Sequence, residues 1–201
     1  MLCRFLLLLF AGALLAGCKK DRTHTSAEGV VIDATTQTRV AGARVYLLQT
    51  KGTSLYASAS RVQHVEADNL GKFSLSFEAE DDSQYDLQAT APTFFDTPSN
   101  EYVGIVKGDK NKKNVTVRPE AWLRIRFVSQ TSGKHIVLTS PSDYPYPRFS
   151  SPIDTSIVIR CNGNEDIQMY TGQYSSGTTP TSVQYSVRCP AHDTTDFTIR
   201  F

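Results

Sequence analysis

Beyond residue 18, no stretch of the chain keeps apolar residues at helical spacing for three turns, whereas apolar and polar residues alternate in short runs throughout. A strand sends successive side chains to opposite faces, so this alternation predicts half-buried strands. In the first half the runs fall at 27–33, 43–49, 56–66, 72–78, 84–91, 102–107 and 113–118. Turn-forming stretches at 33–36, 68–71, 80–83 and 108–111 separate them. A second set follows at 121–128, 135–139, 155–161, 166–174, 181–188 and 194–201. Its first run puts Trp122, Arg124 and Arg126 on one face and Leu123, Ile125 and Phe127 on the other. Short strands at this spacing predict an all-β chain of two small sandwiches in tandem, over 27–118 and 119–201. The seam is expected at 115–120, where Pro119 cannot donate to a ladder and so suits a strand end.

The N-terminus is of another kind. Arg4 is the sole charge before position 19, and 5–16 is an apolar run too short to span a bilayer. The run ends in Leu15-Ala16-Gly17-Cys18, which resembles a bacterial lipobox. That resemblance implies a signal peptide over 1–17 and a mature chain that begins at Cys18, acylated with palmitate-type chains. Two or more acyl chains anchor a protein stably. Lys19 and Lys20 follow, with no Asp beside the cysteine to suggest inner-membrane retention, so an outer-membrane protein on the periplasmic or surface face is expected. Residues 18–26 are read as a polar lipidated tether.

Charge narrows the function. Twenty-one Lys and Arg against 20 Asp and Glu give a formal net charge of +1, without the basic excess of a nucleic-acid binder. Removal of Arg4 with the leader leaves basic and acidic side chains equal in number. The expected partners are a membrane, through the lipid, and an envelope protein or glycan; no nucleic acid and no cofactor are expected.

Of the four cysteines, Cys3 leaves with the leader and Cys18 takes the lipid, so Cys161 and Cys189 remain. An even pair in an exported protein reads most simply as a disulfide. Closing that loop of about 29 residues stabilises by roughly 3.6 kcal/mol in the chain-entropy model.

Several elements of 27–96 resemble the carboxypeptidase regulatory-like domain, a transthyretin-like β-sandwich. They are Gly29-Val30-Val31-Ile32-Asp33, Gly42-Ala43-Arg44-Val45, Asp68-Asn69-Leu70-Gly71-Lys72-Phe73, and Tyr85-Asp86-Leu87-Gln88-Ala89 before Phe94-Phe95. Ala67 and Pro92-Thr93 depart from the family's usual Thr and Gly. The resemblance implies a transthyretin-like sandwich for the first half, so that the chain is expected to be two small Ig-like or transthyretin-like sandwiches in tandem, and it implies a non-catalytic accessory role, as the module plays at the start of some TonB-dependent transporters.

GxSxG, HExxH, P-loop and GxGxxG patterns are missing from the sequence. His64, Glu66 and Asp68 share a strand face, and Glu78, Glu80, Asp81 and Asp82 share a hairpin tip; both sets read as solvated polar surface more simply than as metal sites. Residues 141–152 carry four prolines with Tyr144, Tyr146 and Phe149. A long aromatic loop is a functional candidate, so Tyr144, Tyr146, Phe149 and Trp122 are candidate ligand contacts for a glycan or peptide. The expected function is thus a non-catalytic outer-membrane lipoprotein, with glycan or peptide capture as the alternative.

Overall fold

The computed structural model describes residues 23–52, 59–95, 102–139, 147–175 and 177–201. It is all-β: β1 (His24–Asp33), β2 (Arg44–Lys51), β3 (Ser60–Glu66), β4 (Lys72–Glu78), β5 (Ser83–Thr90), β6 (Val103–Ile105), β7 (Lys110–Lys112), β8 (Val115–Val117), β9 (Glu120–Ser129), β10 (Lys134–Leu138), β11 (Arg148–Ser150), β12 (Ile153–Asn162), β13 (Glu165–Ser175), β14 (Thr181–Cys189) and β15 (Thr194–Arg200). Among the described residues there is no helix.

Strands β1 to β8 form two sheets, β4-β1-β7 with β8 also on β1, and β3-β2-β5-β6. Their inward side chains make one core, in which Val31, Phe73, Leu75, Val115 and Val117 meet Val45, Leu47, Leu87 and Ala89. Strand β1 pairs antiparallel with β4 on one side. On its other side it pairs in parallel first with β7, through Ser26–Glu28, and then with β8, through Val31–Asp33. The expected run at 113–118 is β8, whereas β7 begins within the stretch read as a turn at 108–111, and the chain changes its grip on β1 between the two. Gly29 sits at that change. A Cβ there would lie 1.8 Å from the Lys113 carbonyl oxygen, so the crossing requires a residue without a side chain.

The turn between β3 and β4 follows from its sequence. Asp68 Oδ1 accepts the backbone N–H groups of Leu70 and Lys72, both at 2.8 Å, and Gly71 takes φ +71°. Such side-chain-to-backbone bonding is why Asp opens turns and Gly ends them.

Strands β9 to β15 form a second pair of sheets, β12-β9-β15 and β11-β10-β13-β14. Leu123, Ile125 and Phe127 are fully buried between them with Ile136, Leu138, Ile159, Met169 and Ile199. The alternation around Trp122 thus divides inside from outside as read from the sequence. The stretch 141–152 differs from expectation: it contains β11 and the first part of the loop into β12, and Phe149 packs on the core with its ring 4.5 Å from that of Phe127.

The first strand also begins earlier than expected. His24 lies in β1 and bonds Glu78 at 2.9 Å, so the stretch read as tether is shortened to the residues before it.

The two cores meet end to end through a dense set of contacts. Pro119 bridges to Phe94 and its carbonyl accepts Gly163 N at 2.8 Å. Glu120 N donates to Thr93 O at 3.0 Å, and Glu120 O accepts His192 N at 2.6 Å. Arg118 pairs with Glu165 at 2.6 Å, and Asn164 Nδ2 donates to Thr35 Oγ1 at 3.1 Å. Arg160 pairs with Glu120 and lies 4.4 Å over the Phe95 ring. Thr93, Asn164 and His192 all take positive φ here. Non-glycine residues hold that conformation only where surrounding contacts over-determine it.

Candidate functional site

Strand register gives every group an address. In the first unit, Glu78 faces His24 and Ser83 faces Lys51, so the ends of β4 and β2 lie beside the start of β1. The seam lies at the opposite end, beyond Asp33 and Val117. In the second unit, Asn162 faces Glu120 and Glu165 faces Cys189 at the seam. Lys134 faces Ser175, and Arg200 faces Val128, at the far tip.

The sequence-predicted residues do not converge on one site. Cys18, Tyr144 and Tyr146 lie outside the described residues. Phe149 belongs to the core of the second unit. Trp122 is half-buried on the outer face of the other sheet, between Arg160 on β12 and Thr194 on β15. Of the two described aromatics, Phe149 is partly buried against the core of the second unit, and Trp122 lies on the other sheet.

Cys161 and Cys189 end strands in opposite sheets, and both are buried. They stand as neighbouring free thiols, not as a bond. The Cys161 thiol also donates to Ala121 O at 3.6 Å. Burial, followed by the neighbouring Cys189, pushes its pKa up to about 12. A thiol held protonated is a poor nucleophile and a poor metal ligand, so the folded Cys161 is chemically quiet.

The remaining candidates are occupied by structural work. His64 packs against Tyr46, with ring centroids 5.9 Å apart, Glu66 pairs with Arg44 at 3.1 Å, and Asp68 holds its turn. Glu78 holds Thr23 and His24, and Glu80 pairs with Lys51 at 2.7 Å. Among the described residues no group of three or more His, Cys, Asp or Glu is placed to hold a metal ion.

Cavities open at several places among the described residues. A groove of about 720 Å³ runs along β1 and β4 beneath Lys112–Asn114, and there Glu28 and Lys112 close on each other at 3.4 Å. A second, of about 680 Å³, lies by Asp81, Asp82 and Asp86, where burial raises the Asp86 carboxyl above its ordinary range. Lys107 already gives its ammonium there to the Glu80 and Asp81 carbonyls, at 3.1 and 2.6 Å. The third, of about 430 Å³, opens at the far tip of the second unit. It is lined by Lys134, His135, Gln173, Tyr174, Phe201 and the hydroxyl residues of the β13–β14 connection. The His135 and Tyr174 rings stack across β10 and β13, with centroids 5.1 Å apart and planes at 25°. His135 Nδ1 lies 2.9 Å from Ser150 Oγ, which fixes the ring. Sequence reasoning missed this cleft, because its residues come from three separate segments with no local motif.

No family model matches the chain. No curated protein matches it either. Similarity is found among solved structures. The Bacillus anthracis TIE protein is 10% identical over 89% of this chain and 34% of its own, with a TM-score of 0.37. The minor pilin of Streptococcus agalactiae is 11% identical over 88% of this chain and 94% of its own, with a TM-score of 0.39. A DUF3823 family protein from Parabacteroides merdae is 13% identical over 85% of this chain and 100% of its own, with a TM-score of 0.35. The chain spans about a third of the length of the first of these.

Proposed function

We propose that the chain is a non-catalytic lipoprotein of the bacterial outer membrane that serves the envelope as a structural or binding accessory. The observation that carries this reading is the short link between lipobox and fold. Cys18 precedes His24, the first residue of β1, by six positions. Fully extended, such a link spans about 20 Å. An acylated Cys18 would hold the first unit close to the bilayer by the starting end of β1, with the second unit beyond it.

A non-catalytic role is supported by the fate of the four histidines. His24 bonds Glu78, His64 packs on Tyr46, His135 bonds Ser150 and His192 packs on Phe94. Three of them are committed to packing or to a strand pair with a carboxylate, and His135, whose partner is the Ser150 hydroxyl, is stacked on Tyr174. The resemblance of 27–96 to a carboxypeptidase regulatory-like module points the same way.

The same compartment bears on the cysteines. In an oxidising envelope, Cys161 and Cys189 are proposed to become a disulfide between the two sheets of the second unit. The two thiols would lose two protons and pass two electrons to a disulfide-bearing exchange partner, which is reduced to its dithiol. Because the folded Cys161 holds its proton, exchange belongs to the stage before the sandwich closes.

The anchor is tested by expressing Cys18→Ala beside the wild type in a Gram-negative host fed a fatty-acid probe. Labelling and membrane association should both be lost. A variant that still takes up the probe ends the lipoprotein reading.

A further inference from the structure

We propose that the free edge of β14 is a contact between two copies of this chain, joined edge to edge so that the β11-β10-β13-β14 sheet of one runs on into that of the other. The inference is independent of the anchor, since it rests on the strands of the second unit alone.

An edge strand presents unpaired N–H and C=O groups, and proteins blunt such edges by shortening them or charging them. The other edges of this molecule follow that rule. Strands β6, β7, β8 and β11 have three residues each. Strands β3, β4, β12 and β15 are longer, and each carries an acidic and a basic side chain, as with Asp154 and Arg160 on β12. Strand β14 differs. It pairs with β13 alone, through nine partners with no break in register. Its one charged residue, Arg188, stands next to its end and is paired with Asp166 at 3.6 Å. Residues 181–187 hold no charge and no proline.

The backbone shows which groups are open. Val183 O and Cys189 O turn toward β13, where they accept Thr171 Oγ1 and Asn164 N. Direction alternates along a strand, so Ser182, Gln184, Ser186 and Arg188 turn their backbone groups to the free edge. Among the described residues these groups have no backbone partner there.

A two-fold axis through Tyr185 makes this edge its own complement. Antiparallel pairing about that axis sets Gln184 opposite Ser186 of the second copy, and Ser182 opposite Arg188 of the second copy. Those are the residues whose N–H and C=O groups face outward, so the pairs can exchange backbone hydrogen bonds. The side chains fit the same register. Gln168 Nε2 donates to Ser186 Oγ at 2.8 Å, and Gln184 Nε2 donates to Gln168 Oε1 at 3.1 Å. The groups left open among the described residues are the Ser186 hydroxyl proton, a donor, and Gln184 Oε1, an acceptor. Across the axis each donor meets an acceptor, twice over. An axis through Gln184 would set that amide against its own copy instead. On the inner side, Val183 meets Val187 of the second copy and Tyr185 meets its counterpart. Val183 and Tyr185 are only partly buried in one copy, and Tyr185 packs edge-on against Phe197 at 5.5 Å. The partner therefore covers an apolar strip as well as an open ladder.

The test is sedimentation velocity of the full chain, purified in detergent, over rising concentration. It should pass from monomer to dimer. Gln184→Lys combined with Ser186→Lys should raise the dissociation constant at least tenfold, because like charges then face each other. Ser76→Lys, on the β4 edge of the first unit, should leave it unchanged. All three side chains are exposed, and unchanged melting of the variants separates loss of pairing from loss of fold. Register is read with a short bifunctional thiol reagent, with the wild type, whose cysteines are buried, as the blank. A mixture of Gln184→Cys and Ser186→Cys chains should give more covalent dimer than either alone. The proposal is overturned by a chain that stays monomeric at every concentration, by a dimer that the paired lysines do not weaken, or by cross-linking no greater in the mixture. Failure here leaves the anchor untouched, and failure of the anchor leaves the edge.

Discussion

Gly29 and Gly104 show how much the immediate surroundings of a single residue decide. A Cβ at Gly29 would meet the Lys113 carbonyl oxygen at 1.8 Å, whereas one at Gly104 would meet only Asp86 Oδ1 at 3.8 Å. Gly29→Ala is expected to cost about 1–3 kcal/mol by forcing β1 and the β7–β8 connection apart. Gly104→Ala should stay within about 0.5 kcal/mol of the wild type. Urea midpoints compare the two directly. Asp68 belongs to the same scale. Hydrogen bonds from the Lys72 and Leu70 backbone hold its carboxyl below the ordinary value of 3.8. Asp154 is lowered too, by the side chain of Arg126. A folded pKa below the unfolded one gives stability that is present at neutral pH and is lost as pH falls through the folded value. Stability should therefore drop below about pH 4, and Asp68→Ala should flatten part of that drop. A carboxyl titration of Asp68 with a midpoint at or above 3.8 would contradict the assignment.

At the scale of elements, the sequence was most legible where one strand face is buried and the other is not. Leu123, Ile125 and Phe127 are fully buried, with Arg124 and Arg126 outside, because alternation is the pattern that a packed sheet imposes. It was least legible where an element is short. Strand β7 begins in a stretch read as a turn, because Lys110–Lys112 is made a strand by its pairing with β1, a tertiary contact. The stretch 141–152 read as a loop because its four prolines give turn signals, while the packing of Phe149 depends on Phe127 in the facing sheet. Phe149→Ala should thus lower stability by about 2–3 kcal/mol, which thermal melting would detect. The cysteines read from the sequence as a disulfide, whereas the structure holds them as neighbouring free thiols. Intact mass should show the protein from an oxidising compartment about 2 Da lighter than its reduced form. In the reduced protein, the folded Cys161 keeps its proton up to about 12, while the unfolded thiol loses it near 9.0. The unfolded state then binds fewer protons across that window, so reduced protein loses stability as pH rises through it. Oxidised protein does not.

At the scale of the whole molecule, the seam decides whether the two cores move together. It combines backbone hydrogen bonds from Glu120 and Gly163 with the Arg118–Glu165 pair and with Arg160 spanning Glu120 and Phe95. Only the covalent link and Pro119 were visible in the sequence, since the other contacts come from residues far apart in the chain. Arg160→Ala removes an ion pair and a ring contact together. Residual dipolar couplings should fit one alignment tensor for both units in the wild type and two in that variant. The tip cleft was invisible for the same reason as the seam: it is assembled by register, from Lys134 facing Ser175 and His135 facing Tyr174. The most direct test is the mass of the N-terminal peptide from protein purified out of the outer membrane. It should begin at Cys18 and carry acyl chains, with residues 1–17 gone. An unmodified Cys18, or a chain that begins elsewhere, would contradict the account.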